Sequence, residues 1–84
     1  MPYIKQEDRF KMEDRIKRLS ERIENEGELN FAITKLCHIM MEKWGKRYKN
    51  HNQVLGVLIG VLLEFYRTQT APYEDIKRTE NGDI

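Results

Sequence analysis

The ten-residue stretch Val54–Leu63 is the feature that most constrains the fold of this chain. It belongs to a predicted helix over about residues 53–68, and its side chains leave that helix without a polar face for three turns. A helix that is apolar all round has to be covered on all sides. Two shorter helices of the same chain cannot cover it completely. We therefore expect copies of the protein to pack through residues 54–63 as a homo-oligomer.

Two glycines interrupt the apolar stretch, at positions 56 and 60. Each costs roughly 0.5–1 kcal/mol of helix stability relative to alanine. Four residues apart, they remove side chains from one face of the helix. This spacing favours close approach by another helix, with incidental glycines as the alternative.

Two amphipathic helices precede this one. The first, over about residues 6–24, carries apolar residues at spacings of four, three and four, namely Met12, Ile16, Leu19 and Ile23. The second, over about residues 29–44, repeats that spacing with Leu29, Ile33, Leu36 and Met40. Such stripes are typical of helices with one buried face. Gly27 is placed to end the first helix, and Gly45 the second.

The segments that follow these helices are polar. Residues 46–52 predict a loop in which Asn50 or Asn52 caps the third helix. Pro72 predicts the end of that helix, because the residue before a proline avoids the α region. The tail over residues 72–84 contains the turn signal Asn81-Gly82. The sequence therefore predicts an all-α, three-helix protomer with a C-terminal extension, in one domain spanning residues 1–84.

Size and cysteine content favour partner subunits as the source of stability. A domain of 84 residues buries only about 60–65% of its unfolded surface and is marginal alone. The single cysteine, Cys37, cannot form an intramolecular disulfide, which is typical of a reducing compartment. A structural zinc site needs four ligands, and Cys37, His38 and His51 supply three.

The expected location is the cytoplasm. The beginning of the chain, Met-Pro-Tyr-Ile-Lys, lacks the apolar region of a signal peptide. The run over residues 54–63 has ten residues, two of them glycine, which is about half of the 20 that a membrane-spanning helix needs. We expect no membrane partner.

Catalysis and sequence-specific DNA binding are both disfavoured. Cys37 and His38 are neighbours on a helix, so they do not face each other as a nucleophile and its base must. No glycine-rich phosphate loop is present. A helix-turn-helix protein needs a polar recognition helix, whereas the helix after Gly45 is apolar. We expect a protein that is not an enzyme and has no cofactor or metal.

The middle of the chain is a basic island. Residues 29–53 carry five basic side chains and one acidic one. Lysines at 43, 46 and 49 and Arg47 alternate there with Trp44, Tyr48 and His51. Cations contact phosphates and aromatic rings stack on bases. The island is therefore a candidate ligand site, and a solvated loop with a buried Trp44 is the alternative.

A second candidate lies at the end of the third helix, where Tyr66 and Arg67 precede the tail residues Tyr73 and Lys77. An arginine near a helix C-terminus also interacts favourably with the helix dipole, so a purely structural role is the alternative. If subunits pack through the third helix, loop and tail residues of different copies converge where subunits meet. Such places are common ligand sites.

Several motifs resemble a family of small phage, bacterial and archaeal proteins long catalogued as a domain of unknown function. They are the initial Met-Pro-Tyr-Ile, Gly27-Glu28-Leu29-Asn30-Phe31, Gly56-Val57-Leu58, Glu64-Phe65-Tyr66-Arg67, Ala71-Pro72-Tyr73-Glu74-Asp75 and Glu80-Asn81-Gly82-Asp83. The resemblance covers nearly the whole chain and implies a role for tail residues Tyr73, Lys77 and Asn81. The family pattern has two successive arginines before the tail, whereas Thr68 follows Arg67 here.

Small helical oligomers of this general kind include phage anti-CBASS sponges, which sequester cyclic oligonucleotide signals without cleaving them. By this resemblance the expected function is binding of a cyclic di- or trinucleotide as phage counter-defence. Arg47, Arg67 and Lys77 would contact phosphate and Tyr48 and Tyr73 would flank bases, with Tyr66 and Asn81 nearby. The competing hypothesis is a structural protein that binds a protein partner through its helical surface.

Overall fold

The structure of the protein is a computed structural model that describes residues 4–83. Its regular elements are α1 (Gln6–Ser20), α2 (Glu26–Trp44), α3 (Tyr48–Phe65), a π-helical segment (Tyr66–Thr70) and α4 (Ala71–Asn81). No strand occurs between residues 4 and 83. The last three elements form one continuous helix, Tyr48–Asn81, here called the long helix. The predicted all-α fold with three helices is confirmed.

Two compact units make up the chain, Met1–Lys43 and Trp44–Ile84. The first contains α1 and most of α2, and the second contains the long helix. The single domain spanning residues 1–84 stays a prediction. The Met1-Pro2-Tyr3 part of the resemblance and the last tail residue, Ile84, lie outside the described residues.

The connection between α1 and α2 differs from the prediction. Helix α1 ends at Ser20 rather than near residue 24, and the Ser20 hydroxyl donates to the carbonyl oxygen of Lys17 at 2.6 Å. Gly27 was expected to end α1, but it lies in the first turn of α2. A glycine is tolerated there because side-chain caps hold this turn.

Asn25 and Glu28 form that cap. The backbone N–H of Glu28 donates to Oδ1 of Asn25 at 2.9 Å, and the backbone N–H of Glu24 donates to Oε1 of Glu28 at 2.8 Å. Asn25 at the N-cap and Glu28 three residues later have the spacing of a capping box, although the Glu28 carboxylate accepts from Glu24, one residue before the N-cap. Helix α2 therefore begins at Glu26, three residues before the predicted start.

The turn between α2 and α3 is shorter than predicted. Gly45 ends α2 with a φ of 103°, a conformation that favours glycine. Helix α3 begins at Tyr48, so residues 48–52 are helical and not a loop. The Asn50 amide does not cap α3. It donates to the carbonyl oxygens of Trp44 at 3.0 Å and Gly45 at 2.9 Å, satisfying acceptors that the end of α2 leaves open.

Pro72 does not end the helix, which corrects a second prediction. A proline inside a helix removes one backbone donor, and its ring clashes with the carbonyl group four residues earlier. The π segment ends at Thr70, two residues before Pro72, and the N–H of Ala71, which follows it, donates to the carbonyl oxygen of Tyr66, five residues back. The wider turn accommodates the ring, because a π turn inserts one extra residue. The predicted tail is therefore mostly α4, which ends where Gly82 adopts a φ of 86°.

Most apolar side chains of the described residues remain exposed. Met41 is the one buried residue between positions 4 and 83, at 9% exposure. On α3, Leu62 and Leu63 are 66% and 63% exposed. No atom lies within 4 Å of a Cβ built on Gly56, so its lack of a side chain serves no contact among the described residues. Packing of copies through residues 54–63 stays a prediction.

The Asn25 cap generates a stability prediction. Asn25→Ala removes the acceptor of the Glu28 N–H in the first turn of α2, so we expect a loss of about 1 kcal/mol in the free energy of unfolding. Asn30→Ala, an exposed asparagine on the same helix, is the matched control and should change stability by less than about 0.5 kcal/mol. Urea unfolding followed by circular dichroism measures both, and equal effects would contradict the assigned cap.

Candidate functional site

The long helix carries all seven predicted site residues, but in two separate groups. Arg47 and Tyr48 are at its beginning, with Arg47 at the N-cap. The other five lie in the π segment and α4, namely Tyr66, Arg67, Tyr73, Lys77 and Asn81. Eighteen residues separate Tyr48 from Tyr66, which is about 27 Å along a helix. One chain therefore does not bring the two groups together.

The first group belongs to a basic end of the long helix, defined here as residues 46–51. It contains Lys46, Arg47 and Lys49, together with Tyr48 and His51, and no acidic residue. Tyr48 is the most exposed of the large apolar and aromatic side chains between residues 4 and 83, at 81%. The Arg47 side chain makes no capping bond to α3. Cations and an exposed ring are thus presented beside a helix N-terminus, where the dipole also favours an anion.

The second group belongs to a tyrosine segment, defined as residues 66–81. The Tyr66 hydroxyl donates to Oε1 of Glu74 at 2.8 Å. In a regular α-helix, residues eight apart are rotated by about 80° and do not stack. The extra residue of the π segment brings Glu74 over Tyr66 after two turns. The proline-induced π segment therefore sets which side chains of α4 share a face with α3.

The hydrogen bond to Glu74 raises the pKa of Tyr66 above its ordinary value of 10.0. The negative charge of Glu74 acts in the same direction, followed by partial desolvation and the charge of Asp75. Each of these effects disfavours the phenolate. Tyr66 is therefore a hydrogen-bond donor at neutral pH and not a base.

Tyr73 and Lys77 form a pair one turn apart on α4. The Nζ atom of Lys77 lies 5.7 Å from the centre of the Tyr73 ring, within the range of a cation–π contact. The same Nζ is 3.2 Å from Oε1 of Glu80. Tyr73 is 59% exposed, so its ring is accessible to a stacking partner. This pair brings an aromatic ring and a cation of the predicted site into contact.

The arginines of this region are already paired with carboxylates. Arg67 contacts Glu64 at 2.7 Å, and Arg78 contacts Asp75 at 3.3 Å and Asp83 at 2.7 Å. Residues 73–83 carry two basic and four acidic side chains. A phosphate therefore has to compete with neighbouring carboxylates. Exposed pairs of this kind are worth about 0–1 kcal/mol, so the competition is weak.

The two remaining features of the predicted site are simpler. Thr68, where the family pattern has a second arginine, donates its hydroxyl to the carbonyl oxygen of Glu64 at 2.8 Å. Asn81 is the last residue of α4 and is exposed beside Gly82. Among residues 4–83, no hydrogen bond or ion pair joins Thr68 or Asn81 to the Tyr73–Lys77 pair.

Sequence reasoning missed a groove in the first unit. It has a volume of about 580 Å³ and is formed by the end of α1, the following turn and α2. Apolar side chains dominate its wall, and the principal ones are Leu19, Ile23, Phe31, Leu36 and Ile39. The matching apolar stripes of the two helices are the signal that could have located it.

Metal binding and membrane insertion can be compared with the structure only in part. Between residues 4 and 83, no three His, Cys, Asp or Glu side chains come together as a metal site. One helix, Tyr48–Asn81, is long and apolar enough to cross a membrane, with a mean hydropathy of 1.2 over 18 residues. Core helices of soluble proteins pass the same test. Its run without charged or polar side chains, residues 54–63, is about 15 Å long against a hydrocarbon core of about 30 Å.

Fold and site together define an all-α protein built on one long, largely exposed helix with aromatic and cationic side chains near both ends. The chain belongs to the family of the domain of unknown function DUF6899, which matches residues 1–84. This agrees with the expected resemblance to a family of unknown function. No curated protein and no solved structure shows a significant match.

The Tyr66–Glu74 bond generates a titration prediction. Because the pKa of Tyr66 is raised, the bond is complete at neutral pH and is lost as the pH rises through the raised pKa. Glu74→Gln removes the charge, so we expect the pKa of Tyr66 to fall towards 10.0. NMR titration of the tyrosine ring carbons measures this, with Glu80→Gln as the control that leaves Tyr66 unchanged. An unchanged Tyr66 titration in Glu74→Gln would contradict the assigned bond.

Proposed function

We propose that this protein binds and sequesters a phosphate-bearing nucleotide without chemically changing it, and that the ligand is a cyclic di- or trinucleotide signal. The Tyr73–Lys77 pair is the observation that carries the proposal. An exposed ring offers a face for a base, and an ammonium group beside it offers a contact for a phosphate. The resemblance to phage anti-CBASS sponges supports the choice of a cyclic nucleotide and a counter-defence role.

Six of the seven predicted residues have a defined part in this proposal, and Asn81 has none. Lys77 and Arg67 leave their weak pairs with Glu80 and Glu64 to contact phosphate, while Tyr73 stacks on a base. The Tyr66 hydroxyl donates its hydrogen bond to Glu74, so Tyr66 offers the ligand only the edge of its ring. Arg47 and Tyr48 repeat the same combination of cation and ring at the basic end. Phosphate contacts made by exposed cations weaken as salt concentration rises.

Titration calorimetry with a panel of cyclic di- and trinucleotides tests the proposal. We expect binding by the wild-type protein and a loss of about 5–100-fold in affinity for Tyr73→Ala, since stacking on one base is worth about 1–3 kcal/mol. Lys77→Ala should lose about 3–10-fold and show a weaker salt dependence. Lys11→Ala, an exposed lysine on α1, is the control and should bind normally. Absence of heat and of a thermal shift across the whole panel would refute the proposal.

The groove in the first unit favours a second candidate function, a structural protein that binds a protein partner. An apolar groove between two helices is a common seat for the apolar face of a third helix. Phe31 is 67% exposed at its wall, so its ring is available for such a contact. A protein partner needs none of the cations that the nucleotide proposal uses.

Affinity capture followed by cross-linking mass spectrometry tests this second candidate. We expect a partner cross-linked to residues 19–39, and Phe31→Glu should reduce its recovery at least about tenfold, because burying a carboxylate in an apolar groove is costly. Phe10→Glu, at a more exposed phenylalanine on α1, is the matched control. Capture that is equal in both variants would exclude the groove as the binding surface.

A further inference from the structure

The long helix carries a stripe of large side chains whose residue spacing is symmetric about its midpoint. Leu55, Ile59, Leu62 and Tyr66 follow one another at spacings of four, three and four, which places them on one face. Each is at least half exposed, from 50% for Tyr66 to 66% for Leu62. The spacing is the same in either direction, with its midpoint between residues 60 and 61. If a second copy ran antiparallel, Leu55 would lie opposite Tyr66 and Ile59 opposite Leu62.

The charges at the two ends of the long helix are complementary in this same alignment. The basic end carries three positive charges and no acidic residue, whereas residues 73–83 have a net charge of −2. An antiparallel second copy aligned on the stripe places Arg47 level with Glu74. A parallel copy would place the basic ends side by side. The dipoles of two adjacent helices also favour the antiparallel arrangement.

The π segment extends the stripe into α4. Tyr48 lies seven residues before Leu55 and so belongs to the same face. At the other end, the Tyr66–Glu74 hydrogen bond shows that Glu74 continues this face after the extra residue of the π segment. The stripe therefore begins at an exposed ring next to Arg47 and ends at a carboxylate. These ends meet when two copies are antiparallel.

The geometry points to an antiparallel pairing of two copies through this stripe, which completes the ligand site across the pair. Arg47 and Tyr48 of one copy then lie beside Tyr73 and Lys77 of the other, with Tyr66 opposite Leu55 about two turns away, although at least about 27 Å separates the two groups in a single chain. A two-fold axis makes two such composite sites. The pairing follows from the stripe and the charges, and the ligand at the composite site rests on the proposed function.

Distances between spin labels test the pairing in the full-length chain. Labels are attached at Gln53→Cys or Thr79→Cys in a Cys37→Ser background, with circular dichroism and sedimentation confirming that each variant resembles the wild type. Antiparallel copies aligned on the stripe separate the labels along the axis by about 22 Å at position 53 and about 55 Å at position 79. Parallel copies give short distances that are the same at both positions, and this result would overturn the inference.

Two further results would also overturn the pairing. One is a folded monomer at micromolar concentration, and the other is flotation of the protein with phosphatidylcholine–phosphatidylglycerol vesicles, which would assign residues 48–81 to a membrane. Charge exchange is an independent test that needs no label. Arg47→Glu and Glu74→Lys alone should each weaken the dimer about tenfold, since every contact occurs twice, and their combination should restore it. Failure of the combination to restore the dimer contradicts the alignment.

The pairing and the ligand can fail separately. If the label distances are those of antiparallel copies but no cyclic nucleotide of the panel binds, the pairing is retained and the proposed function is refuted. Nucleotide binding that is abolished by Tyr73→Ala but unaffected by Tyr48→Ala would retain the function and exclude the composite site. Loss of binding in both variants, with label distances unchanged, is the expected result.

Discussion

The uncovered apolar surface of the long helix is the constraint on which the rest of this structure depends. Folding is driven largely by removal of apolar surface from water, at roughly 25 cal/mol per Å². Among residues 4–83 this burial is nearly complete only at Met41. In proteins, a helix draws most of its stability from packing of its apolar face and not from propensity. The pairing of copies proposed above would supply the burial that a single chain lacks, and it would place the proposed ligand site where the paired surfaces meet.

Much of the fold could be predicted from periodicity. The stripes of α1 and α2 and the apolar run of α3 repeat with the period of a helix, and each lies in a helix of the structure except for Ile23, which follows the end of α1. Gly45 was correctly placed at the end of α2, where only its positive φ allows the chain to turn. Periodicity reports which face is apolar, and it does not report where a helix begins. The beginning of α2 depends on two side-chain bonds made by Asn25 and Glu28, and the Asn-x-x-Glu pattern was the signal for them.

Pro72 shows why the remainder could not be predicted by local rules. The cost of proline in a helix assumes regular α geometry, with a carbonyl group four residues earlier in the way. A single wider turn removes that conflict, and the helix then continues to Asn81. Treating residues 72–84 as a separate tail placed Tyr73 and Lys77 on a different element from Tyr66. The structure places all three on one helix, and it leaves Arg47 and Tyr48 far away at the other end.

The π segment also has a consequence for how this chain compares with its relatives. A π turn is equivalent to one residue inserted into an α-helix, so it rotates everything downstream by about 100° relative to everything upstream. In a relative that lacks this proline, a regular α-helix that is one residue shorter would point the corresponding α4 side chains in the same direction. Sequence alignments of the family should then contain a one-residue gap between positions 66 and 71, and the gap should occur in the relatives that lack the proline.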